Sequence, residues 1–298
     1  MPNPSIHEGT VLHTASGEAV TMGPIFGEDR SAFQMDHFYF RWYDATNAQG
    51  DPVAVKVYDR YPACEHVFRL EQVVTKVVAH PGVVRIIGDG WFDCCGFSVF
   101  EHMGGGTLRC WLLTQGNIPG SGVLSITRQV AQALDFAHAR GIMHPDVQPG
   151  NVWLDPSPEG RVALAEFGVT KTEREVADIE FPLPEGGFSY LAPETFQTGA
   201  ADARADIYSF GVMLYELVNG RTPLEGFGLK VLLTEDVPDI RTHRKDVPES
   251  LALRLAQTLS RDPEVRPHTA ATVLAGVEEE VAKLSPAPSV NASQRAPG

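Results

Sequence analysis

The chain predicts an α+β fold of two lobes, a small sheet-rich one followed by a larger helical one. Three observations carry this. Between residues 20 and 102, runs of β-branched and aromatic residues alternate with turn clusters, and one segment shows a helical period. Three successive glycines, Gly104 to Gly106, then give a flexible crossing, beyond which apolar residues recur at helical spacing. Finally, the loop 141–155, marked by Pro145, Pro149 and Gly150, joins a helical pattern to short apolar strands and sets Asp146 five residues before Asn151.

Taken in order, residues 1–19 are polar with scattered apolar positions and predict an irregular lead-in. Residues 20–26 open a sheet, and the aromatic run 37–43 predicts a strand. Asn47, Gly50 and Pro52 mark a turn over 44–52, after which 53–58 form the paired strand. Phe68, Val73, Val74, Val77 and Val78 give helical spacing over 64–79, stopped by His80-Pro81-Gly82. Strands over 83–92 and 97–102 flank a turn at 93–96, and 103–107 form a hinge. Beyond it, Ile126, Val130, Leu134 and Ala137 mark a long helix face. Residues 207–218 mark a denser, central helix, and 251–259 and 270–284 two more. The Ser-, Pro- and Ala-rich stretch 285–298 predicts a linker or tail. The domains are therefore a lead-in (1–19), a first lobe (20–102), a hinge (103–107), a second lobe (108–284) and the tail (285–298).

With 298 residues and 43% hydrophobic content, the chain can bury a sizeable core. Acidic residues outnumber basic ones 38 to 24, a net charge of −14, which argues against nucleic acid or an anionic membrane surface as the main partner. No apolar run approaches the length of about 20 residues that spans a bilayer, and residues 1–10 lack a signal-peptide pattern. Cys64, Cys94, Cys95 and Cys110 show no C-x-x-C spacing, and adjacent Cys94 and Cys95 are poorly placed for a disulfide. Free thiols in a reducing compartment follow, so the chain is expected to be cytoplasmic, or the cytoplasmic part of something longer.

Asp146 and Asn151 suit one kind of chemistry, in which the acid orients or deprotonates a hydroxyl while the amide holds a cation. The stretch His144-Pro145-Asp146 with Asn151 resembles the catalytic loop H-R-D-x-x-x-x-N of the protein-kinase family, in the look of bacterial Ser/Thr kinases. The resemblance extends to Lys56 in Val-Ala-Val-Lys, the strand lysine that pairs nucleotide phosphates with a helix glutamate. Glu71 is the better-placed partner and Glu65 the second choice. Glu101 and Met103 match the hinge whose backbone would bind an adenine edge, with Phe100 at the pocket's rear wall. Ala192-Pro193-Glu194, Asp206 and Arg266 match scaffold positions, as do His144 and Phe167. The resemblance implies a bilobal kinase-like fold, with a β-rich N-lobe carrying one main helix and a helical C-lobe. It also implies ATP with Mg or Mn as cofactor, and a protein substrate or partner.

Several reactive positions depart from the family. The stretch 27–40, where a G-x-G-x-x-G loop is expected, keeps only Gly27 and carries Glu28, Asp29 and Asp36. Each acid close to a triphosphate would cost about 1 kcal/mol in water. The D-F-G aspartate is Glu166, whose extra methylene displaces its carboxylate by about an ångström, and magnesium tolerates such displacement poorly. Gln148 replaces a lysine that offsets phosphoryl charge, and Gly187 replaces the threonine that bonds with it. Pro145 replaces the arginine that anchors a phosphorylated activation loop, so phosphate on Thr170, Thr172 or Ser189 would lack that anchor.

These departures favour a pseudokinase, a binding module with absent or weak nucleotide binding and no required cofactor. The alternative is an atypical active Ser/Thr kinase in which Asp146 is the catalytic base, Lys56 and Glu71 position phosphates, and Asn151 and Glu166 hold metal. A small-molecule kinase of the same fold is a third reading. The oligomeric state and the partner's identity are not encoded in any motif.

Overall fold

The computed structural model describes residues 6–25, 40–58, 62–144, 146–156, 160–167, 189–198, 202–225 and 229–287. The stretch around Gly27, Glu28, Asp29 and Asp36, together with Pro145, Gly168, Thr170, Thr172 and Gly187, lies outside them. The chain divides into two compact units, residues 1–79 with 83–103, and residues 80–82 with 104–298.

The first unit is a six-stranded antiparallel sheet with one helix. Its strands are β1 (Val11–His13), β2 (Ala19–Ile25), β3 (Phe40–Asn47), β4 (Pro52–Tyr58), β5 (Ile86–Phe92) and β6 (Cys95–Glu101), in the order β1-β2-β3-β4-β6-β5. Side chains alternate across a strand, so Val53, Val55 and Val57 of β4 point to one face. There they form a core with Leu12, Val20, Met22, Tyr43, Ala45, Phe97 and Val99. Lys56 and Tyr58 point to the other face, where α1 (Pro62–Val77) contributes Phe68 against Tyr58.

Strand β5 starts at Ile86 rather than 83, and among the other boundaries that differ from the sequence reading three have a local cause. Strand β1 lies inside the lead-in read as irregular; at three residues it is too short to show alternation, and its pairing with β2 defines it. Strand β3 runs on to Asn47, because the hairpin closes more tightly than the span 44–52 predicted. The Asn47 carbonyl accepts the Gly50 N–H, and its side-chain oxygen accepts the N–H groups of Gln49 and Asp51. The β5–β6 turn is likewise shorter than 93–96: Cys95 and Gly96 belong to β6, and Asp93 takes the left-handed conformation, φ +53°.

The second unit contains α2 (Leu108–Thr114), α3 (Gly120–His138), a small hairpin of β7 (Val152–Leu154) and β8 (Val162–Leu164), α4 (Pro193–Thr198), α5 (Ala203–Asn219), α6 (Leu229–Thr234), α7 (Glu249–Thr258), α8 (Ala270–Leu274) and α9 (Glu278–Lys283). Helix α5 is the centre. Every residue from Ala205 to Asn219 is buried, as expected of a helix that is apolar nearly all round. Asp202 caps its start by accepting the Arg204 N–H, and Gly220, at φ +85°, ends it.

The helix read as continuous over 270–284 is two short ones, because Gly276 at φ +81° turns the chain between them. The start of the expected tail is packed: the carbonyl of Ser285 accepts from Arg244, that of Ala287 accepts from Asn117, and Ala287 is buried. Among the described residues no helix is long and apolar enough to cross a membrane. Among the described residues, Cys94, Cys95 and Cys110 are thiols outside any disulfide.

Candidate functional site

In the second unit the loop after α3 is held by one acid and one imidazole. Asp206, in the first turn of α5, accepts the His144 backbone N–H at 2.7 Å and the His138 Nε2–H at 2.6 Å. His144 is fully buried. Its Nε2–H donates to the Ala165 carbonyl at 2.7 Å, which leaves Nδ1 to accept the Asp146 N–H at 3.3 Å. The His144 ring also meets the edge of Phe167, centroids 4.5 Å apart.

The structure brings Asp146, Gln148 and Asn151 together on that frame. The Asn151 amide donates to the Asp146 carbonyl at 2.8 Å and to its Oδ2 at 2.9 Å, while the Gln148 amide donates to Oδ1 at 2.8 Å. The next strand lies alongside, since the Ala165 N–H bonds the Asn151 carbonyl at 2.9 Å. Glu166 follows directly. It is buried and sits at φ +69°, a region where a non-glycine residue is uncommon. Asp146 can therefore serve as a fixed hydrogen-bond acceptor for a hydroxyl, but Gln148 adds no positive charge there.

Two further buried networks brace the same unit. Arg266 makes a bidentate pair with Glu194, at 2.6 and 2.8 Å, lies over the Tyr208 ring, and donates to the Ser260 and Arg204 carbonyls. Arg109 of α2 pairs with Glu216 of α5 at 2.6 Å, and both bond the Tyr190 hydroxyl, whose pKa burial pushes well above the ordinary phenol value. Sequence reading missed this second network. Its members lie far apart in the chain and match no motif, so only the fold assembles them.

In the first unit Lys56 and Glu71 form an ion pair of 3.0 Å, with both side chains withdrawn from solvent. Glu65, the second choice, pairs instead with Arg69 on the helix surface. The Lys56 ammonium also faces three rings: Phe40 with its centroid at 3.9 Å, Tyr58 at 5.1 Å and Trp42 at 5.7 Å. The register explains the crowding, since Trp42 is cross-strand from Lys56 and Phe40 from Tyr58. Trp42 continues onto Phe100 of β6, centroids 4.8 Å apart. Met103 is buried, and the Glu101 side chain accepts the Arg85 N–H at 2.9 Å. Phe40 and Trp42 were legible as strand residues only; what they face depends on the hairpin register.

A two-lobed fold, a strand lysine paired to a helix glutamate, and an acid–amide loop seated on an internal aspartate define the protein-kinase fold. A family model described as "Protein kinase domain" matches residues 41–275, and the chain belongs to that family. Among similar curated proteins are the serine/threonine-protein kinase PknL of Mycobacterium tuberculosis, 33% identical over 82% of this chain and 64% of its own length, and PrkC of Bacillus subtilis, 29% identical over 71% of this chain and 33% of its own length. The chain thus spans less than two thirds of the curated relatives it matches. Among solved structures, Rad53 residues 1–466 in complex with AMP-PNP superposes with a TM-score of 0.66 at 24% identity, covering 80% of this chain and 62% of that one, a likeness of fold.

The family generally uses ATP with Mg or Mn. The residues present fit that pair poorly. The lysine that would meet phosphate faces the Phe40, Tyr58 and Trp42 rings, and the metal-ligand position holds the longer Glu166.

Proposed function

We propose that this chain is a pseudokinase domain: a kinase-fold module that acts by binding a protein partner, with nucleotide binding absent or weak. The observation that carries this is the dressing of Asp146. Its Oδ1 accepts from Gln148, a neutral amide, where phosphoryl transfer calls for a cation to offset developing charge. An acid so dressed keeps the loop in shape and supplies little to a moving phosphate. The enclosure of Lys56 and the acidic stretch in place of a glycine-rich loop support the same reading. The charge balance of the whole chain favours a protein partner over nucleic acid. A cytoplasmic setting fits the free thiols.

A second reading, an atypical Ser/Thr kinase, has two observations in its favour, of which the first is the buried Lys56–Glu71 ion pair. The second is that Asn151 fixes both the backbone and the carboxylate of Asp146, so the acid is well oriented for an acceptor hydroxyl. Transfer of radiolabelled phosphate from ATP to a generic protein substrate or to the chain itself separates the two. Wild type and Asp146→Asn are expected to give the same background with Mg²⁺ and with Mn²⁺. Incorporation by wild type that Asp146→Asn abolishes would establish the second reading and reject the first.

A further inference from the structure

The face of the first unit's sheet that carries Lys56 is lined by aromatic side chains rather than left open. Trp42 stands cross-strand from Lys56 and is 9% exposed, with its indole against Phe100. Phe40 stands cross-strand from Tyr58 and lies over the Lys56 ammonium. By the family resemblance, Phe100 backs an adenine pocket and Lys56 meets phosphates. The indole is a flat bicyclic aromatic, like a purine, and it already packs on that wall. A ring face attracts an ammonium through its quadrupole, so Phe40 gives Lys56 part of what an anionic phosphate would give.

We propose that Trp42 and Phe40 are a built-in occupant of this nucleotide half-site, Trp42 in place of the base and Phe40 in place of the phosphates. The proposal rests on the pseudokinase reading and supplies its physical cause. It has a further consequence. The Lys56–Glu71 pair ties β4 to α1. The rings beside that pair hold the Lys56 side chain in place, and a nucleotide would have to displace them.

The test is fluorescence titration of trinitrophenyl-ADP, with and without Mn²⁺, and its displacement by ADP. The proteins are wild type, Trp42→Leu and the double variant Phe40→Leu/Trp42→Leu. Cooperative thermal unfolding selects the folded variants. Trp42→Leu keeps a branched apolar side chain against Phe100 and carries the test should the double variant not fold. The expected result is no saturable, ADP-displaceable binding by wild type, and binding by the variants at least about tenfold tighter than the wild-type limit, which corresponds to about 1.4 kcal/mol. Folded variants that bind no better than a non-binding wild type would overturn the built-in occupant and leave the pseudokinase reading standing. Wild type that binds tightly, with variants no tighter, would overturn both, and weak wild-type binding with variants no tighter would overturn the occupant alone. Wild type that binds with variants tenfold tighter would keep the occupant and reject the nucleotide-free reading.

Discussion

Glu71 lies buried opposite an equally buried ammonium, so the stabilisation either charge gives depends on the other. Removing one member of such a pair typically costs about 3–5 kcal/mol, because the survivor is left desolvated and uncompensated, whereas replacing both with apolar residues is often close to neutral. Glu71→Ala should therefore lower the urea midpoint strongly, and Lys56→Met/Glu71→Leu should recover most of the loss. A double variant no more stable than Glu71→Ala would contradict this. The pair was legible in the sequence: a lysine between two valines on a strand has little reason to be there alone, and the family resemblance made Glu71 the better-placed partner on the next helix. The rings around it were not. A shift of one residue in the β3–β4 register would send Phe40 and Trp42 to the opposite face, and that register is set by the Asn47 side-chain bonds within the turn.

Helix α5 shows how closely the second unit is packed. A methyl group at Gly211 would come within 2.6 Å of Thr258 Cγ2 and 3.1 Å of Leu259 Cδ2. Thr258 is buried and β-branched, and its hydroxyl is bonded to the Arg254 carbonyl at 2.8 Å, so it has little freedom to swing aside. Alanine is the better helix former by about 1 kcal/mol, yet overpacking costs about 1–3 kcal/mol. Gly211→Ala is expected to destabilise, read as a lower urea midpoint at unchanged slope; a raised midpoint would show that α7 yields at this contact. Elements of this length and apolar density were readable from periodicity alone. The break at Gly276 was not, because a single glycine within a helical pattern is compatible with either outcome. Nor was the docking of Ser285 and Ala287, which depends on Arg244 and Asn117 from distant segments.

Across the described residues, groups that hold the kinase fold together keep their partners, while some of the groups that would handle a nucleotide are changed. Arg266 with Glu194, Asp206 with the His144 backbone, and His144 with Ala165 are intact. Lys56 is enclosed, Asp146 is met by neutral amides, and Glu166 stands in the metal-ligand position. This division was visible in the sequence as matched scaffold motifs beside mismatched reactive ones. The melting temperature of the wild-type protein, with and without ATP and divalent metal, tests the central claim most directly. A nucleotide present at 100 times its Kd adds about 2.7 kcal/mol of stability, a rise of roughly 4–5 °C for a domain of this size. A pseudokinase with its half-site already filled should shift by less than about 1 °C with millimolar ATP and either Mg²⁺ or Mn²⁺. A rise of several degrees that Lys56→Ala abolishes would contradict it.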